Sequence, residues 1–167
     1  MSPDGSRVGE PNQQFEWALQ QAKFAFHRLV LVVGHAFSGK TENLQVLSAS
    51  IAIPRINLNL NLAQQLVELN AKDRGLQATA VLANLVGCDS KLAILDNTEI
   101  LFDRTLALDP LRVLQGLSRN RTVVASWPGE VLESKLVYAV PGHPEFRSYR
   151  EVDAVIIDLA ERGSTEE

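Results

Sequence analysis

Five aliphatic residues in a row, Leu29 to Val33, precede a glycine-rich turn, and such an unbroken apolar run predicts a strand buried on both faces. Before it, Phe15, Ala18, Leu19, Ala22, Ala25 and Phe26 fall on one face at helical spacing, predicting an amphipathic helix over residues 13–27. Residues 40–51 read as a second helix, which must end before Pro54. Residues 55–61 alternate Ile56, Leu58 and Leu60 with Asn57, Asn59 and Asn61, the period of a strand with one polar face. Helical patterns follow at 62–70 and 76–86, separated by Ala71 to Gly75, with Gly87 as a stop. A third apolar run, Leu92 to Leu95, ends in Asp96. Asp109 and Pro110 supply an N-cap and a first-turn proline for a helix through Leu117. Residues 121–126 predict a fourth strand, and Trp127 to Glu130 have turn chemistry. Residues 135–140 are expected to return as a hairpin, and 154–159 to form a last buried strand.

Strands alternating with helices predict an α/β fold of three layers, a mostly parallel sheet with helices on both faces. The chain of 167 residues is long enough to enclose a core. One domain is expected over 13–160, between a disordered N-terminal segment at 1–12 and an acidic C-terminal tail at 161–167. Hydrophobic residues make up 46% and charged residues 22%, which argues against a disordered or disulfide-rich chain. The single cysteine, Cys88, lacks partners at zinc-ligand spacing and reads as a small buried apolar residue. Phe15, Trp17 and Phe24 read as helix core or as the wall of an adenine pocket.

The first fourteen residues contain no apolar stretch of the signal-peptide type, and no run reaches membrane-spanning length, so a cytoplasmic protein without a membrane partner is expected. The net charge of −4 gives no overall field to draw the chain onto nucleic acid. Between Ile100 and Arg150, however, seven basic residues outnumber five acidic ones, leaving room for a local basic face. DNA contact would fall on Arg104 to Arg121, which carry no nucleic-acid motif, and net charge does not support it.

The turn after the first strand, Gly34, His35, Ala36, Phe37, Ser38, Gly39, Lys40 and Thr41, fits G-x-x-x-x-G-K-[ST], the Walker A pattern. Glycines permit positive φ and close backbone approach, so successive N–H groups can surround phosphate oxygens at a helix N-terminus. Lys40 is expected to reach the β and γ phosphates of ATP, and the Thr41 hydroxyl to ligate Mg²⁺. Asp96, closing an apolar strand, has the form of the second acidic group that holds Mg²⁺ through water. Asn97 after it can orient water but cannot accept its proton, so hydrolysis is expected to be slow unless another carboxylate enters. Glu99 is the nearest, with Asp103 behind it, and either reads equally as a solvated loop acid. Ser126, ending the fourth strand, reads as a capping or turn hydroxyl.

The succession of P-loop strand, intervening strand, Walker B strand, next strand and last strand resembles the additional-strand NTPases, including the AAA+ and RecA-like families. That resemblance implies a sheet of order 5-1-4-3-2 in chain numbering, and it makes Ser126, at the end of the strand beside the P-loop, a candidate γ-phosphate sensor as well as a turn hydroxyl. It makes Arg147 and Arg150, before the last strand, candidates for an arginine acting across a subunit boundary in a homo-oligomer, ahead of Arg119 and Arg121. Two features depart from AAA+: no C-terminal lid domain is expected after Leu159, and a hairpin replaces the helix before the last strand.

The stretches "LDNTEILFD", "LDPLRVLQGLSRNRTVVASW" and "KLVYAVPGHPEF" further resemble the BrxF family, small P-loop proteins of bacterial BREX phage-resistance systems, over most of the chain from Val30 to Ile157. This implies a defence component working beside other BREX proteins, namely larger ATPase, methyltransferase and phosphatase-like partners. Two alternatives stand beside an ATP-dependent oligomeric switch: a scaffold that nucleotide merely stabilises, and a small-molecule kinase in which Lys72 and Arg74 belong to a phosphate lid.

Overall fold

The computed structural model describes residues 11–87 and 89–160. Of the disordered segment expected at 1–12, residues 1–10 lie outside the described residues, as do the acidic tail at 161–167 and the buried thiol expected at Cys88; residues 11 and 12 instead begin the first helix. Helix α1 (Pro11–Lys23) leads into β1 (Leu29–Val33), followed by α2 (Lys40–Ile51), β2 (Arg55–Asn57), α3 (Leu58–Leu66), α4 (Ala71–Val86) and β3 (Leu92–Asp96). Short 3-10 turns at Thr98–Phe102 and Arg104–Leu106 precede α5 (Pro110–Leu117) and β4 (Thr122–Trp127). The chain then forms β5 (Glu130–Leu132), β6 (Lys135–Tyr138), β7 (Arg147–Tyr149) and β8 (Val155–Asp158).

The main sheet has the order β2-β3-β4-β1-β8 with every pair parallel, which is the expected 5-1-4-3-2 arrangement read from its other edge. β1 lies inside the sheet between β4 and β8, and all of its residues are buried. Leu29, Leu31 and Val33 pack with α3, α4 and α5 on one face, whereas Val30 and Val32 pack with α1 and α2 on the other. Period-two alternation thus divides an all-apolar strand between two helical layers, and the three-layer α/β expectation holds.

Four elements differ from the sequence expectation. Helix α1 stops at Lys23, because Phe24 to His27 form the reversal that carries the chain inward, leaving Phe24 89% and Phe26 74% exposed. The strand expected over 55–61 ends at Asn57, whose side-chain carbonyl accepts from the Leu60 amide at 3.1 Å and caps α3. Leu58, Leu62 and Leu66 are then buried at four-residue spacing while Leu60 faces solvent, so helical packing overrides the two-residue alternation. The segment Ala71 to Gly75, expected as a linker, is the start of α4: the Asn70 side chain accepts from the Asp73 amide at 2.9 Å. The expected hairpin is a three-stranded antiparallel sheet, β5-β6-β7.

Trp127 joins the two sheets. It is fully buried, its indole N–H donates to the Val137 carbonyl at 3.2 Å, and its ring meets Phe102 and Tyr149 edge-on at centroid distances of 5.1 and 5.8 Å.

Candidate functional site

Parallel strands deliver their C-terminal ends to one edge of the sheet, where ligand sites of open α/β folds lie. Here that edge gathers the loop after β1, Asp96 at the end of β3, and Ser126 near the end of β4. The Gly34 amide donates to the Trp127 carbonyl at 3.1 Å, fixing the start of the loop against β4. A β-carbon on Gly34 would stand 2.2 Å from Ser38 Oγ and 2.9 Å from Ser38 Cβ, so the loop closes this tightly only on glycine. Gly39 has φ of 95°, a left-handed conformation open to glycine, and it is the N-cap of α2. The first-turn amides of α2, which have no intrahelical partner, therefore face the concavity of the loop. His35, Ala36, Phe37 and Ser38 are exposed around it, and Phe37 also has a positive φ of 63°.

Lys40 is buried beneath this loop and its ammonium donates to the carbonyls of Gly34 at 2.6 Å and His35 at 2.7 Å. Burial lowers its pKa below that of an ordinary lysine, against the opposing charges of Glu99, Asp96 and Glu42, in that order. Glu99, on the turn after β3, is exposed, and its charge acts on Lys40 more strongly than that of Asp96. Asp103 is committed elsewhere: it accepts from the amide and hydroxyl of Thr105 and caps a 3-10 turn.

Asp96 is buried and fully engaged. Its Oδ2 accepts from the Thr41 hydroxyl at 2.8 Å and from Arg55 Nη1 at 2.6 Å, and its Oδ1 accepts from the Asn97 amide at 2.8 Å. Walker-type lysine, threonine and aspartate positions, far apart in sequence, thus meet in one cluster. Arg55 is the member that sequence reasoning missed. It belongs to the residues expected to alternate, and register places it beside Ile94, on the same face of the sheet as Asp96. A cation two residues before the end of the edge strand was the available signal.

Ser126 is buried at the end of β4, in register with Val32, and its hydroxyl lies 3.5 Å from that of Thr98, which donates to the Ser126 carbonyl at 2.7 Å. Arg147 and Arg150 do not join the cluster through any hydrogen bond or ion pair among the described residues. Arg147 lies on β7, opposite Tyr138, with its guanidinium donating to the Phe146 carbonyl, and Arg150 is exposed just after that strand. Arg121 donates to the Gly87 carbonyl and thereby anchors the end of α4. Arg74 donates to the carbonyls of Leu66, Leu69 and Val67, closing the C-terminus of α3, a structural task at odds with a phosphate lid. Of the three aromatics weighed for an adenine wall, Phe15 is helix core, while Trp17 and Phe24 are exposed and are not core.

The small sheet borders the loop. His35 Nε2 lies 3.2 Å from Glu130 Oε2, and these two residues, with Tyr138, His143 and Glu145, line a cavity of about 310 Å³. Tyr138 donates to Glu145 at 3.3 Å; burial raises its phenol pKa, with Glu145 and Glu99 adding to the shift.

No family model matches the chain. No curated protein matches it either. Among solved structures it is similar to C. elegans PCH-2, at 15% identity and a TM-score of 0.43 over 75% of this chain and 38% of that one. It is also similar to AMPPCP-bound DnaA from Aquifex aeolicus, at 17% identity and a TM-score of 0.38 over 71% of this chain and 39% of that one. The chain spans about two fifths of the length of these two proteins. No helix among the described residues is long and apolar enough to cross a membrane.

Proposed function

We propose that the Gly34–Thr41 loop binds the triphosphate of ATP with Mg²⁺, and that the chain is a slowly hydrolysing, nucleotide-dependent switch. The observation that carries this reading is the meeting of a buried Lys40, a glycine-formed loop at the N-terminus of α2, and the Thr41–Asp96 contact at 2.8 Å. The residues fit both groups. The loop that closes on Gly34 and Gly39 leads into α2, whose first-turn amides are available to an anion. Thr41 and Asp96 offer oxygen donors of the hard type magnesium requires, phosphate oxygens and water completing its coordination. When bound, magnesium supplies charge neutralisation between phosphate oxygens.

The chain's own residues would act as follows. Lys40 leaves the two carbonyls it now holds and carries its charge to the phosphates. Asp96 keeps the Thr41 hydroxyl oriented. Glu99, near Lys40 and open to solvent, orients a water and accepts its proton, a task that Asn97 cannot perform. Ser126 senses the terminal phosphate from β4. Arg147 and Arg150 are offered on the small sheet to a neighbouring copy, and the exposure of Arg150 leaves it free to act there. The stretches that resemble BrxF support placing such a switch among the proteins of a phage-resistance system in the cytoplasm.

Lys40→Ala removes two charge-assisted contacts to phosphate and is expected to weaken binding of a fluorescent ATP analogue by about 100-fold. Unchanged affinity would sink the nucleotide reading. Glu99→Gln is expected to retain that binding while phosphate release falls about 100-fold or more. A wild type that binds ATP but releases no phosphate would instead support the nucleotide-stabilised scaffold.

A further inference from the structure

Asp96 holds two cationic or hydroxyl donors on one oxygen, and the second of them has no part in the Walker pattern. Arg55 enters from β2, beside Ile94, and its long side chain runs along the sheet to reach Asp96 Oδ2 at 2.6 Å. The arginine side chain is 24% and the aspartate 2% exposed, so the ion pair is shielded from competing water. With the Thr41 hydroxyl on the same oxygen and the Asn97 amide on the other, Asp96 is neutralised from within the protein.

A divalent cation arriving alone would meet a carboxylate already paired with Arg55, beside a Lys40 ammonium whose charge Glu99 and Glu42 offset, so the opposition at Asp96 itself comes from Arg55. Among the described residues no group of three or more His, Cys, Asp or Glu side chains could hold a metal ion. Magnesium and manganese keep several of their roughly six oxygen ligands as water, so a weak site on Thr41 and Asp96 becomes possible only where Asp96 is not already paired with Arg55. We infer that Arg55 is a tethered cation that bars free divalent metal from Asp96 and admits it only together with a triphosphate, whose negative charge reverses the local balance. This rests on the nucleotide reading above. It assigns Arg55 a positioning role rather than a catalytic one, because the residue acts through Asp96. The same charge stands in part for the metal, so nucleotide retention depends less on magnesium than it would with Asp96 unpaired.

The test titrates MnCl₂ into the nucleotide-free protein, reads bound manganese by electron paramagnetic resonance, and compares wild type with Arg55→Gln and Arg55→Lys. Wild type and Arg55→Lys are expected to bind none, and Arg55→Gln to bind manganese. The melting temperature of Arg55→Gln is expected to rise by about 3 °C when MgCl₂ is about ten times its dissociation constant, with no shift in wild type. The ratio of ATP-analogue Kd values in chelator and in magnesium is expected to grow about tenfold in Arg55→Gln. Manganese bound by nucleotide-free wild type would overturn the inference, even if Arg55→Gln failed to fold. So would an Arg55→Gln protein that behaves as wild type in both titrations. A wild type that binds no nucleotide, while Arg55→Gln gains manganese, would overturn the nucleotide reading and leave the antagonism between Arg55 and metal standing.

Discussion

The parallel sheet and the small antiparallel sheet are held by different means. All five residues of β1 are buried, and its side chains are shared between two helical layers. No residue of β5 or β7 is buried, and in β6 only Leu136 and Val137 are. The first sheet is stabilised by apolar area on both faces, the second by its attachment to the first at Trp127, Phe102 and Tyr138. At that junction Gly129 leaves no room for a side chain, since a β-carbon would come within 1.9 Å of the Val137 carbonyl oxygen. The difference teaches that the site has a stiff floor and a wall secured by few contacts, and the wall carries Glu130, Tyr138, Arg147 and Arg150.

Removing the joint should separate the two sheets most sharply. Trp127→Ala deletes a fully buried aromatic and strands the Val137 carbonyl, at an expected cost of about 4 kcal/mol in urea unfolding. Hydrogen exchange should show the amides of Leu136 and Val137 losing protection while those of Leu31 and Val32 keep it. Equal loss in both sheets would mean that they form one cooperative unit, and the contrast drawn here would fail.

That contrast also explains what the sequence made legible. β1, α2, β3 and α5 were readable because local signals agree with tertiary packing: an unbroken apolar run, a glycine turn opening a helix, and an Asp-Pro start. The Walker positions Lys40, Thr41 and Asp96 were readable for the same reason, each being fixed by a strand end or a helix start. Residues 55–61 misled because Ile56, Leu58 and Leu60 alternate while Leu58 and Leu62 also lie four apart, and only the partners of Leu58 and Leu62 decide between the two periods. β7 is three residues with a polar centre, and its pairing with β6 comes from contact across the sheet rather than from local propensity. For Arg55 the sequence showed only a cation near the end of an edge strand; its partner Asp96 was not legible, because the pair spans 41 positions and depends on the register of β2 against β3.

The smallest expected effect tests whether the wall communicates with the floor beyond packing. His35 and Glu130, 3.2 Å apart, form the polar contact between the phosphate loop and β5, with side chains 66% and 33% exposed. A pair so open to water contributes little, and Glu130→Gln should change unfolding free energy by about 0.3 kcal/mol. Its effect on the proposed ligand should be electrostatic: removing a carboxylate beside the loop reduces repulsion of a triphosphate, raising affinity about twofold at low salt and by less as salt screens the charge. Measured across a salt series with a fluorescent ATP analogue, a twofold gain that vanishes at high ionic strength would show the small sheet acting on the loop through its field. A stability loss above about 1 kcal/mol would instead make the contact a structural joint alongside Trp127 and the Tyr149–Asp109 hydrogen bond of 2.8 Å. The protection of β6 in Trp127→Ala should then survive in part, held through β5 and β7.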